Sequence, residues 1–148
     1  MMNVLYHGSA KHLTVLEPRP SRVIDNEKAV FATDSKDLAV VFIPRWSDCD
    51  MDLGYHNNIL YCSEQYPNAF DKLKGISGFI YQVDKSLFTS DKRLGMQHHE
   101  FICKTPVTIL SEEKIDDVFS YLMKSSICMI TYDQKLDAME AYGLIKQK

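Results

Sequence analysis

The chain has 148 residues, 45% of them apolar and 11% aromatic, and a net charge of −3. Such a chain is long and apolar enough for one domain with its own core, residues 1–148, which excludes a disordered polymer. It carries no basic block, which argues against a dedicated nucleic-acid binder and leaves transient RNA or DNA contact to a local patch. The opening MMNVLYHGSAKHL lacks the basic start and apolar stretch of a signal peptide. No apolar run approaches the roughly 18 residues that a membrane helix needs. The cysteines (Cys49, Cys62, Cys103 and Cys128) are widely spaced without a C-x-x-C pair. A cytoplasmic protein with free thiols and no membrane contact is therefore expected.

In chain order, Asn3 to Tyr6 reads as a short strand ended by Gly8. SAKHLTVLEPRPSRVIDNEKA is mostly loop, because Pro18 and Pro20 fix φ and lack a donor. Val30-Phe31-Ala32 reads as a second strand. TDSKDLAVVFIP predicts a short helix capped by Asp34 or Thr33, with Leu38, Val41 and Phe42 on one face. The stretch RWSDCDMDLGYHNNILYCSEQYPNAFDKLKG has the weakest periodicity; Asp48, Asp50 and Asp52 read as a solvated acidic loop, and Asn58 to Cys62 as a strand. GISGFIYQVD alternates, with Phe79, Tyr81 and Val83 sharing a face. Asp84 to Gly95 reads as a connecting loop. HHEFICKTPVTIL gives two strands or one bent at Pro106. Ser111 with Glu112 and Glu113 predicts a helix start, followed by Ile115, Val118, Phe119 and Leu122 at helical spacing. ICMITY reads as a strand, and the tail from Asp133 as a helix ending near Gly143. Short strands with three short helices predict a compact α+β domain without regular βα units.

Three segments carry residues suited to chemistry. In LYHGSA, Gly8 permits a close backbone approach, His7 offers a ring nitrogen to a hydroxyl, and Ser9 adds a donor. The same residues also suit a polar strand end and a turn. In FATDSKDLA, Thr33, Asp34 and Ser35 can cap the helix, and the free backbone donors there can meet an anion. Capping alone also explains them. In HHEF, Glu100 heads an apolar strand, where an ionised carboxylate can accept a ribose hydroxyl and favour positive charge on the sugar. An edge-strand glutamate facing water is the plainer alternative. The two histidines beside it do not define a metal site. Adjacent strand residues face opposite ways, so His98 can converge with Glu100 while His99 points away, and no H-E-x-x-H helix or zinc-spaced cysteine set is present. Gly-rich phosphate loops and G-x-S-x-G elbows are likewise absent.

The order YHGS, VFATDSKDLA, HEFICKTPVTI resembles the ADP-ribosyltransferase superfamily, in particular its poly-ADP-ribose-polymerase and diphtheria-toxin branch. There a histidine-glycine lies in the first strand, a Tyr-Phe-Ala strand precedes a short helix of small residues, and a glutamate opens a later strand. The resemblance touches residues 4–10, 29–42 and 98–110. It implies a compact ADP-ribosyltransferase-like fold with a split, mainly antiparallel β core and short flanking helices. It also implies NAD as co-substrate, cleavage of the nicotinamide–ribose bond, and transfer of ADP-ribose to an acceptor, protein or nucleic acid.

By that resemblance His7 would bind a ribose 2′-hydroxyl, the Gly8 backbone would hold the nicotinamide carboxamide, and Ser9 would add a hydrogen bond. Glu100 matches the catalytic glutamate, with His7 beside it in the catalytic set. Thr33, Ser35 and Phe42 complete the expected NAD site, with the aromatic area supplied by Phe42 or, from the middle of the chain, by Tyr61, Tyr66 or Phe70. The sequence departs from the branch at Val30, where a tyrosine is usual, and some relatives keep the fold without transferase activity. A catalytically inactive or repurposed domain that binds a nucleotide, nucleic acid or protein is therefore the alternative. His98 stands where arginine-specific relatives carry Glu or Gln, so an arginine acceptor is not implied. His7, with Lys11 or Arg19, is available to a related RNA 2′-phosphotransferase activity, to which the overall acidic balance gives little help.

Overall fold

Alternation of apolar and polar residues builds strands here, and short capped segments build the helices between them. In chain order the strands are β1 (Val4–Ser9), β2 (Val15–Leu16), β3 (Arg19–Pro20) and β4 (Lys28–Thr33). Helix α1 (Lys36–Val41) precedes β5 (Met51–His56), β6 (Ile59–Glu64), β7 (Gly78–Asp84), β8 (Glu100–Cys103), β9 (Val107–Thr108) and β10 (Ser111–Ile115). Helix α2 (Val118–Lys124) and β11 (Cys128–Ile130) complete the order, with single 3-10 turns at Arg22–Ile24, Ala69–Lys72, Lys85–Leu87 and Tyr132–Gln134. The computed structural model describes residues 3–47, 49–96 and 98–135.

Among these residues a six-stranded sheet runs β10-β7-β1-β4-β3, with β8 also paired to β4, and every pairing in it is antiparallel. A second sheet, β11-β6-β5, has one parallel pair, β11 with β6. A short β2–β9 ribbon forms the third. The mixture of mainly antiparallel strands and short helices is the one composition and pattern predict.

The large sheet buries both faces. In β1 the side chains alternate, so Leu5 joins Val30, Ala32, Tyr81, Val83 and Val107 on one face, while Tyr6 packs against the other core. That other core contains α1 (Leu38 to Val41), Ile80, and Val118 and Leu122 of α2. Phe79, Tyr81 and Val83 share a face as their spacing predicts.

Several expectations are corrected. β1 runs through Gly8 to Ser9 instead of ending there, because its whole length pairs with β7. Ser35 caps α1, its Oγ accepting from the Leu38 amide at 3.2 Å, so the cap falls one residue beyond Asp34. Leu38 and Val41 are buried as the helical spacing predicts, but Phe42, at the C-cap, is exposed. Asp50 is not solvated. It is 7% exposed and accepts from the Tyr66 hydroxyl at 2.6 Å and the Ser47 amide at 2.9 Å, which hold its pKa down to about 2. Asp52 belongs to β5, and Asp48 lies outside the described residues. Ser111 to Ile115 is a strand on the edge of β7, and the helix begins only after Asp117. At the tail expected to be helical from Asp133, Tyr132–Gln134 forms a 3-10 turn and Lys135 is already helical, while the rest of that expectation lies outside the described residues.

Candidate active site at a gap in the sheet

The site grows from an interruption in strand pairing. β4 is paired along one edge by β8 from Val30 to Thr33. On its other edge it meets β1 only at Thr33, opposite Tyr6, and β3 only at Lys28 and Ala29. Between those contacts Val30, Phe31 and Ala32 have no neighbouring strand on that side among the described residues. A buried strand edge left this way would strand its carbonyls. His7 supplies a partner, its Nδ1 lying 2.5 Å from the Phe31 carbonyl oxygen.

The gap opens into a cleft of about 580 Å³. β1 brings His7, Gly8 and Ser9 to it, β3 brings Arg19, β4 brings Val30 to Thr33, and β8 brings Glu100. Phe42 and Arg45 reach it from the chain leaving α1. Tyr6, Thr33 and Glu100 form one row across three strands. His7, one residue further along, belongs by alternation to the opposite face, and borders the same cleft because β1 has parted from β4 at that point.

Because a carbonyl can only accept, His7 must donate from Nδ1, which leaves Nε2 as an acceptor when the ring is neutral. Burial pushes the imidazole pKa down, and the Arg19 guanidinium pushes the same way against the Phe31 hydrogen bond. Burial thus favours neutral imidazole, and among the described residues Nε2 has no hydrogen-bond partner. Glu100 shifts the other way from its ordinary value. Burial pushes its carboxyl pKa up, opposed by a backbone hydrogen bond at Met96.

The residue before Glu100 fastens it in place. His99 Nδ1 lies 3.0 and 3.2 Å from the two carboxylate oxygens of Asp34, and the Asp34 amide donates to the His99 carbonyl at 3.2 Å. Tyr55 stacks on the His99 ring with centroids 4.0 Å apart. The head of β8 is thus tied to the end of β4. His99 turns to Asp34 and is not among the cleft residues, while His98 is exposed.

Gly8 has a packing reason of its own. A Cβ there would lie 2.1 Å from the Ala39 carbonyl oxygen, so α1 can rest on β1 only because the position is glycine. Ser9 Oγ accepts from the Lys11 amide at 3.1 Å. Thr33 is 2% exposed, and its Oγ1 accepts from the Ser35 amide at 3.1 Å. Ser35 itself caps α1 and does not line the cleft. Phe42 is 42% exposed and lies nearly parallel to Trp46, at 9° with centroids 6.4 Å apart.

His7, Gly8, Ser9, Thr33, Phe42 and Glu100 thus meet at one cleft, and Ser35 stands behind it. Sequence reasoning missed Arg45, Trp46 and Tyr55. Arg45-Trp46 directly follows the helix-stopping Pro44, and an adjacent cation and aromatic was the signal that the weak periodicity of that stretch obscured. Among the described residues no group of three or more His, Cys, Asp or Glu side chains is arranged for a metal ion. None of the helices among them is long and apolar enough to cross a membrane. No protein-family model, curated protein or solved structure matches the chain.

Proposed function

We propose that the protein is an NAD-dependent ADP-ribosyltransferase. The observation that carries this reading is the meeting of His7 and Glu100 at one cleft lined also by Gly8, Ser9 and Thr33. On the same reading, the gap between β1 and β4 is the split of an ADP-ribosyltransferase-like core. At about 580 Å³ the cleft falls within the roughly 300–1,000 Å³ usual for small-molecule sites.

NAD supplies a glycosidic bond activated by its cationic nicotinamide leaving group. His7 Nε2 accepts from a ribose hydroxyl while Nδ1 stays anchored on Phe31, which fixes the ring's orientation. Ionised Glu100 accepts from the 2′-hydroxyl of the nicotinamide ribose. Its negative charge, preorganised in a half-buried position, stabilises the positive sugar that develops as the bond breaks. The raised carboxyl pKa also suits it to take a proton from an incoming nucleophile.

Nicotinamide release from labelled NAD tests the reading, with Glu100→Gln as the control. Release by the natural chain and its loss in Glu100→Gln are expected. No turnover with any acceptor, together with no heat of NAD binding in titration calorimetry, would sink it. Val30 favours a second reading, a repurposed domain that binds a nucleotide, nucleic acid or protein without turnover. NAD binding without nicotinamide release would select that one.

A further inference from the structure

We propose that the mouth of the cleft binds single-stranded nucleic acid and presents one nucleotide to the cleft as acceptor. The acceptor role rests on the transferase reading, whereas the binding stands without it. Lys11, Arg19 and Arg45 line the mouth and are exposed. None of the three forms an ion pair among the described residues, although Lys36, Lys72, Lys74, Arg93 and Lys104 all do. Three cations outside any ion pair outnumber the carboxylates of the same lining, Glu17 and Glu100, and leave the mouth locally positive in a chain whose net charge is −3. Arg19 shares the cleft lining with His7. Two carboxylates line the same cleft, Glu17 and Glu100, the second being the proposed reacting group.

Beside these cations lies the near-parallel Phe42–Trp46 pair. The indole Nε1 donates to the Val41 carbonyl at 2.7 Å, so Trp46 is held in orientation, while Phe42 remains exposed at the cleft wall. Oriented aromatic rings next to unpaired guanidinium groups match a strand that offers a base to stack and phosphates to neutralise. An acidic peptide would use the cations but leave the rings without a partner, so the ring pair favours nucleic acid. In the transfer, a nitrogen or oxygen of the presented nucleotide bonds to the ribose anomeric carbon as the nicotinamide bond breaks. Nicotinamide leaves with that electron pair, and the nucleophile's proton passes to the Glu100 carboxylate and from there to solvent.

Trp46 is the single tryptophan of the chain and lies against Phe42 of the cleft wall, so its fluorescence reports on the surroundings of that ring pair. The full chain is titrated with twelve-residue oligo-dT and oligo-U, without NAD. Quenching is expected, and for three neutralised phosphates the affinity should fall about 20-fold between 50 and 200 mM salt. Phe42→Ala should weaken binding roughly tenfold through lost stacking. The double variant Arg19→Ala/Arg45→Ala should flatten the salt dependence. Lys124→Ala, at the far end of α2, should bind as the natural chain does. Absence of oligonucleotide binding at low salt overturns the proposal. So does equal affinity for polyglutamate of matched length, or binding indifferent to the arginine pair. Circular dichroism of each variant confirms its fold, and oligonucleotide binding persists even if nicotinamide release is never seen, which separates the two failures.

Discussion

Glu100 and His7 carry opposite pKa shifts for one shared reason, burial beside a gap in the sheet. For Glu100 the folded pKa is raised, so the folded chain holds the carboxyl proton more tightly than the unfolded chain does. Its contribution to stability is full below the unfolded value and is lost as pH rises through the folded one. At neutral pH the ionised group therefore weakens the fold that holds it. Glu100→Gln should raise the melting temperature at pH 7, and the gain should shrink toward pH 4, where the natural side chain is itself protonated. Thermal denaturation of both proteins at the two pH values checks this. An equal gain at both would mean that the carboxyl is not desolvated. His7 runs the other way. Below about pH 6.5 an unfolded histidine takes up a proton that the buried ring resists, so its contribution falls as pH is lowered through the depressed folded value.

Elements were legible where one physical cause acted alone. The alternation of β7 and the order of β1, β4 and β8 follow from burying Leu5, Val30, Tyr81 and Ile102. The same ordered segments pointed to His7 and Glu100. The region from Ser111 misled because two signals overlapped. Ser111 before two glutamates imitates a helix start, and Ile115 stands three residues before Val118 by coincidence of a strand end with a helix beginning. Pairing of Ser111–Ile115 along β7 overrides local propensity there. The actual cap, Asp117, accepts from the Ser120 amide at 3.1 Å and also from the Gly75 amide at 3.0 Å. Asp117→Ala should cost about 1–2 kcal/mol in urea denaturation, with Asp117→Asn retaining most of that stability. A cost near zero for the alanine variant would show that α2 is held by its buried Val118 and Leu122 alone. Arg45 and Trp46 escaped sequence reasoning because a cation beside an aromatic, in a stretch of weak periodicity, does not by itself specify a cleft. They become its neighbours only when α1 docks on Gly8 and carries the following chain with it.

At the scale of the whole molecule the gap makes the sheet dependent on what fills it. β1 belongs to the β10-β7 side and β8 to the β4 side, and one register pair, Tyr6 with Thr33, joins the two sides directly. Side chains reinforce that join, through His7 on Phe31 and through α1 against Gly8. A ligand reaching from His7 to Glu100 would touch both sides and bind only while they are held together, so its binding energy becomes folding energy. NAD at 100 times its Kd should stabilise the chain by about 2.7 kcal/mol, which for a domain of this size is a rise of roughly 5–10 °C in melting temperature. Hydrogen exchange locates the effect. Amides of His7 to Ser9, of Val30 to Ala32 and at Glu100 should slow on NAD binding, while those of the β5–β6 hairpin, which is absent from the cleft lining, should not. A melting rise accompanied by protection confined to the hairpin would place the nucleotide elsewhere and break the link between the gap and the chemistry.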